Sequence, residues 1–169
     1  DLEVDGKYWH LGVTICEDIW VEEEIQGHRV IGPDPIENLS LEKIDICINL
    51  SASPFTPNKE DLRESLVQRA IKRLNCPMIY LNQVGGNDEL IFDGASFAMD
   101  KDFKIFFKLP RCQECIGYWD TSDPRRIIPK DNTSAEEKLF KALVLGLRDY
   151  GKKCGFNSSI IGLSGGIDS

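Results

Sequence analysis

The strongest constraint on the fold is a strand–helix–strand pattern in the middle of the chain. Ile44, Ile46, Ile48 and Leu50 alternate at a period of two until Ser51-Ala52-Ser53-Pro54 breaks the run, which makes 44–50 a strand. After Pro57, with Asn58 as the candidate N-cap, Leu62, Leu66, Val67, Ala70, Ile71 and Leu74 recur at helical spacing with charges between them. Residues 77–82 read as a buried strand, 84–88 as a turn, and 89–92, 95–99 and 103–108 as a meander of short strands. On the N-terminal side, residues 8–16 form a strand-like run that ends at Glu17-Asp18. Residues 22–42, with Gly27, Gly32, Pro33 and Pro35, read as loop plus a short helical turn near 38–42.

Beyond residue 110 the pattern changes. Residues 111–133 lack periodicity and read as a linker, so the expected division is 1–110, 111–133 and 134–169. Ser134-x-x-Glu137 is a capping box opening a helix whose apolar stripe is Leu139, Phe140, Leu143, Val144, Leu147 and Tyr150, with Gly151 and Gly155 as candidates to end it. Residues 158–163 then read as a short buried strand running into a glycine-rich turn.

Composition narrows the classes of function. The 41% of hydrophobic residues can supply a packed core, and 20 basic against 28 acidic residues give a net charge of −8, which argues against nucleic acid or an anionic membrane surface as a partner. No apolar run approaches the roughly 18 residues that a membrane span needs. The opening Asp1-Leu2-Glu3-Val4-Asp5 is neither an initiator nor a signal peptide, so the chain reads as a segment of a longer cytoplasmic polypeptide. Six cysteines are too few for a disulfide scaffold, and Cys47 sits in an apolar run, as a free thiol does in a reducing compartment. Cys112-x-x-Cys115 would be half of a zinc site, but there is no second pair and His10 and His28 are distant in sequence, so no metal site is assigned.

Two motifs carry chemistry. Gly162-Leu163-Ser164-Gly165-Gly166-Ile167-Asp168-Ser169 combines glycines, which let backbone N–H groups approach an anion, with hydroxyl donors, and it lacks the lysine of a Walker A loop. Gly12-Val13-Thr14-Ile15-Cys16-Glu17-Asp18-Ile19-Trp20 places a thiol where a strand emerges, a rigid mount for a nucleophile with amide donors just beyond it. On residue chemistry alone, a lone Gly-Gly pair reads first as a plain turn and a strand-end cysteine as core packing.

The first motif resembles the pyrophosphate loop of the N-type ATP pyrophosphatases. The second resembles the nucleophile segment of the nitrilase (carbon–nitrogen hydrolase) superfamily, as do Asn49 to Phe55, Asn82 to Glu89 and Phe92 to Phe97. Joined in one chain, they resemble the glutamine-dependent NAD+ synthetase family. That resemblance implies the C-terminal part of a nitrilase-like αββα sandwich, followed by the start of a doubly wound α/β ATP-pyrophosphatase domain. It implies Cys16 as the nucleophile on the glutamine amide, the Glu17 backbone N–H as oxyanion donor, and Ser53 and Lys59 as glutamine ligands. Residues Gly162, Leu163, Ser164, Gly165, Gly166, Ile167, Asp168 and Ser169 would hold ATP, with Mg2+ neutralising the phosphates near Asp168. Deamido-NAD+ would be the second substrate, oligomerisation is common in the family, and a tunnel carries ammonia between sites. The family's general-base Glu and its Lys lie upstream of Cys16, outside residues 1–169. A stand-alone amidase, another glutamine amidotransferase or a non-catalytic binding segment stay open at this level.

Overall fold

A computed structural model of the chain describes residues 1–20, 32–120 and 133–168. Much of the expected loop at 22–42 and most of the expected linker lie outside the described residues, as does Ser169. The expected single run over 8–16 is two strands, β2 (Lys7–Trp9) and β3 (Leu11–Ile15), separated at His10. Strand β1 (Leu2–Val4) pairs antiparallel with β2 through a two-residue turn, Asp5-Gly6, in which both residues have positive φ. An Asp-Gly pair is a strong hairpin signal in its own right.

The main sheet has five strands in the order β3-β4-β5-β8-β9, with β4 at Ile46–Ser51, β5 at Met78–Asn82, β8 at Phe97–Met99 and β9 at Ile105–Lys108. The first three are parallel and the last two antiparallel. Helix α2 (Lys59–Leu74) makes the crossover from β4 to β5, which is what a parallel pair requires. Asn58 precedes it with φ +67 and its side chain makes no cap bond, so the expected side-chain N-cap does not form. The short helix α1 spans Pro35–Ser40 rather than 38–42, because Asp34 accepts the Glu37 N–H and Pro35 takes the first turn.

Register explains which residues form the core. Cys47, Met78 and Met99 lie in one row across the sheet and Tyr80 and Phe97 in another, all against Leu66, Val67, Ala70, Ile71 and Leu74 of α2. Burying each such aliphatic side chain is worth roughly 1.5–3 kcal/mol. The isoleucine alternation that marks β4 belongs in part to the opposite face, where Ile48 aligns with Val13 and Ile79, and Leu50 with Ile15 and Leu81. Val13, Ile15, Leu50 and Leu81 are exposed. The sheet is therefore apolar on both faces, with helix α2 covering one of them, as the αββα sandwich implied by the resemblance requires.

Three expectations need correction. Residues 84–88 are not merely a turn: β6 (Val84–Asn87) pairs with β7 (Leu90–Asp93) in a hairpin. Its glycines serve close packing, since a Cβ on Gly86 would meet the Gly146 Cα of helix α3 (Ala135–Lys153) at 3.0 Å. Helix α3 accordingly docks on the hairpin through Ala142, Leu145 and Gly146, with Asp149 Oδ2 accepting the Gly86 N–H at 2.9 Å and Lys153 donating to the Gly86 carbonyl at 2.6 Å. The expected core stripe from Leu139 to Tyr150 is exposed, with Leu147 at 75%, because the neighbouring stripe of Ala142, Leu145 and Gly146 meets the hairpin instead. Residues 158–163 form no strand and are exposed: among the described residues no strand pairs with them, and a lone extended segment has no ladder to bury its amides.

The ends of α3 follow the sequence closely. Ser134 Oγ accepts the Glu137 N–H at 3.2 Å. Gly155, at φ +72, ends the helix, with Phe156 N–H bonding the Gly151 carbonyl and Gly155 N–H the Lys152 carbonyl. That pair of bonds is a Schellman motif, and the Tyr150–Phe156 ring contact at 6.3 Å supplies its apolar clasp.

Candidate active site

Cys16 stands at the tip of β3, where the strand gives way to a single 3-10 turn at Cys16–Ile19. Its φ of +47 is left-handed, a conformation that a residue with a Cβ holds only where its surroundings enforce it. Two contacts enforce it here. Asp18 Oδ2 accepts the Ile15 N–H at 2.8 Å, closing the turn around the cysteine. Asn49, buried on the neighbouring strand, donates to Thr14 Oγ1 at 3.0 Å and to the Cys16 carbonyl at 3.4 Å, and its own Oδ1 accepts from Ser51 at 2.5 Å. Cys16 itself is half-buried. The Glu17 N–H lies in the first turn, where amides have no partner within the helix, and the Glu17 side chain is exposed. Asp18 is thus a turn lock rather than a reacting group.

Lys59 opens α2 and lies with its Nζ 4.8 Å from the centroid of the Trp20 ring, so the start of the helix meets the turn that carries the cysteine. Ser53, two residues past β4, is buried and held from several sides. Its N–H donates to Asn82 Oδ1 at 2.8 Å, its carbonyl accepts from Arg63 Nη2 at 2.8 Å, and its Oγ accepts from Arg63 Nε at 3.1 Å. Arg63, a fully buried arginine, pairs with the equally buried Asp93 at 2.8 Å. Asp93 also accepts from Arg111 at 3.0 Å, and Arg111 reaches Glu60, which meets Lys108 and, at 3.4 Å, Lys138 of α3. Burial pushes the Glu60 carboxyl up, but the hydrogen bonds and charges of Lys108 and Arg111 together hold it down at about 2. A cleft of about 140 Å3 opens beside this chain of charges, lined by Phe55, Lys59, Glu60, Arg111 and Lys138 among others.

Sequence reasoning missed Arg63, Asp93 and Arg111. A signal existed for Arg63, which sits three and four residues before Leu66 and Val67 on the apolar stripe of α2. Arg111, read as the start of a linker, is docked on the sheet domain, and Cys112 N–H bonds the Asp93 carbonyl. All six cysteines are free thiols. Burial drives the Cys47 thiol up to about 12 and the Cys76 thiol to about 11, as suits inert core cysteines.

The glycine-rich motif is placed differently. Residues 162–168 are exposed, Gly165 has φ +82, and Gly166 N–H bonds Ser164 Oγ at 3.3 Å. Among the described residues no three of His, Cys, Asp and Glu gather into a cation site, and Asp168 is exposed, so these residues do not by themselves form a Mg2+ site. No described helix is long and apolar enough to cross a membrane.

The sheet with its crossover helix is similar in fold to the carbon–nitrogen hydrolases. A carbon–nitrogen hydrolase from Helicobacter pylori superposes with a TM-score of 0.51 at 20% identity, over 63% of this chain and 38% of that one, a likeness of fold alone. The glutamine-dependent NAD+ synthetase of Acinetobacter baumannii, solved in complex with ADP, superposes with a TM-score of 0.79 at 32% identity, over 99% of this chain and 30% of that one. In sequence, the glutamine-dependent NAD(+) synthetases of Synechocystis sp. and Acinetobacter baylyi are 45% and 36% identical over 94% of the chain. Over nearly its whole length the chain is thus similar to glutamine-dependent NAD+ synthetases. It spans 29% and 28% of the length of those two relatives. No protein-family model matches it.

Proposed function

We propose that the full-length protein carrying this chain makes NAD+ from deamido-NAD+, ATP and glutamine in the cytoplasm, and that residues 1–110 belong to its glutaminase domain and 134–169 to its ATP-dependent domain. The observation that carries the glutaminase reading is Cys16 itself, a thiol held at positive φ at the end of a parallel strand by Asp18 and Asn49. The sulfur attacks the glutamine side-chain carbonyl carbon, with the Glu17 N–H donating to the developing oxyanion. The C–N bond then breaks, the nitrogen leaves as ammonia after taking up a proton, and water hydrolyses the γ-glutamyl thioester to glutamate and the free thiol. Ser53 and Lys59 hold the amino-acid end of glutamine. Residues 162–169 hold the ATP phosphates through backbone amides and hydroxyls. ATP adenylates the nicotinate carboxylate, ammonia displaces AMP, and pyrophosphate is the other product. The 32% identity to an ADP-bound synthetase over 99% of this chain supports the nucleotide site.

In the full-length protein, Cys16→Ala should lower glutamine-driven NAD+ formation by about 10³-fold or more while ammonia-driven formation persists. Loss of both in a folded protein, or retention of both, would overturn the two-site reading.

A further inference from the structure

The Arg63 side chain is 2% exposed, and the glutaminase chemistry itself does not use it. Burying a guanidinium is costly unless its donors are matched, and here they are matched with unusual completeness. Nη1 bonds Asp93, Nη2 bonds the Ser53 and Pro54 carbonyls at 2.8 and 3.3 Å, and Nε bonds Ser53 Oγ at 3.1 Å. Four of its contacts therefore converge on two consecutive residues and the carboxylate that orients it.

The consequence falls on the Ser53 hydroxyl. A hydroxyl has one proton and two acceptor lone pairs, and it ordinarily turns to suit its partner. With a charged donor fixed on Oγ, the rotor can no longer point its proton toward Arg63, so that proton is directed to the side away from the guanidinium. The Ser53 backbone has no freedom to reorient either, because its N–H and carbonyl are both bound to Asn82.

We propose that Arg63 is a positioning residue: by donating to Ser53 Oγ it fixes the hydroxyl rotor and turns its proton away from the guanidinium, toward an acceptor such as the substrate's α-carboxylate. The inference rests on the reading of Ser53 as a glutamine ligand. Asp93 sets the orientation of Arg63, and Arg111 in turn holds Asp93, so the selectivity of the loop is built from residues up to 58 positions apart.

The test uses the full-length protein with two amide substrates, glutamine and 4-aminobutanamide, which lacks the α-carboxylate. Arg63→Lys keeps a cation for Asp93, but a single Nζ cannot also serve Ser53 in the same plane. It should raise KM for glutamine by about tenfold or more and shrink the preference for glutamine over 4-aminobutanamide by a similar factor, with a smaller effect on kcat. Ser53→Ala should do the same, and the double variant should add little to either single one. Asp93→Asn, which leaves Arg63 present but less firmly oriented, should raise KM several-fold and serves if Arg63→Lys does not fold. If Ser53→Ala shifts KM and the two other variants lower only thermal stability, the positioning role is wrong while the glutamine-site reading stands. If Ser53→Ala itself leaves KM and the preference unchanged, that reading fails as well.

Discussion

The two chemistry-bearing motifs read alike in sequence, each an apolar run delivering a turn, yet they end in opposite physical situations. At Cys16 the run is a strand flanked by β4, its amides paired, its turn locked by Asp18 and its carbonyl held by Asn49. At 162–168 no strand among the described residues pairs with the preceding segment, and Ile160 and Leu163 are 99% and 77% exposed. The difference teaches that a strand belongs to a ladder and not to a segment. Hydrophobic pattern proposes the strand, but neighbouring strands supply the hydrogen bonds and cover that make burial favourable.

The largest effect that sharpens this contrast comes from Glu60, whose contacts tie α2 to Lys108 on β9, to Arg111 and to Lys138 on α3. Its carboxyl is depressed from 4.5 to about 2, so it favours the folded state above its ordinary value and loses that contribution as pH falls from about 4.5 through 2. The linked stability is on the order of 3 kcal/mol at neutral pH. Glu60→Gln in the full-length protein should destabilise the sheet domain by about that much at pH 7 in urea unfolding. It should also flatten the loss of stability of the unsubstituted protein below pH 4.5. An unchanged acid limb would mean that Glu60 is not the hub of this network.

How much of this was legible beforehand differs residue by residue. The period of two at 44–50 and the helical spacing at 62–74 give the crossover correctly, because each reports a face that packs within one element. Cys16 is legible through its place at the end of such a run. The Arg63–Asp93 pair is not, because 30 residues separate its members and only the fold of β7 against α2 makes them partners. The six large apolar residues of α3 are misleading for a related reason. Periodicity identifies an apolar stripe but not which of two stripes meets a neighbour, and the glycines at 85, 86 and 146 favour the one that carries Ala142, Leu145 and Gly146.

A smaller effect probes the anchored end. Asp18 caps no long helix, but its carboxylate spans the cysteine to reach the Ile15 N–H, and removing it leaves that amide unmatched and Cys16 free to relax from φ +47. Asp18→Ala should cost about 1 kcal/mol of stability. In the full-length protein it should lower glutamine-driven kcat by about tenfold, because the thiol and the Glu17 N–H shift together. Asp18→Asn, which retains an acceptor oxygen, should restore most of both. A kcat that stays low in Asp18→Asn would point to the charge and not to the geometry.

The smallest stability change belongs to the exposed loop, and it separates folding from function there. A Cβ on Gly162 meets nothing within 4 Å, and its φ is not in the left-handed region, so Gly162→Ala should move stability by no more than about 0.5 kcal/mol. If backbone amides of this loop cradle phosphates, the added methyl still matters once a nucleotide approaches, since the site depends on close access to main-chain N–H groups. KM for ATP in the full-length protein should then rise several-fold with KM for glutamine unmoved. The anchored motif thus answers substitution through stability and rate together, whereas the exposed one answers only when ATP is present. An ATP KM unchanged by Gly162→Ala would count against the phosphate reading of this position.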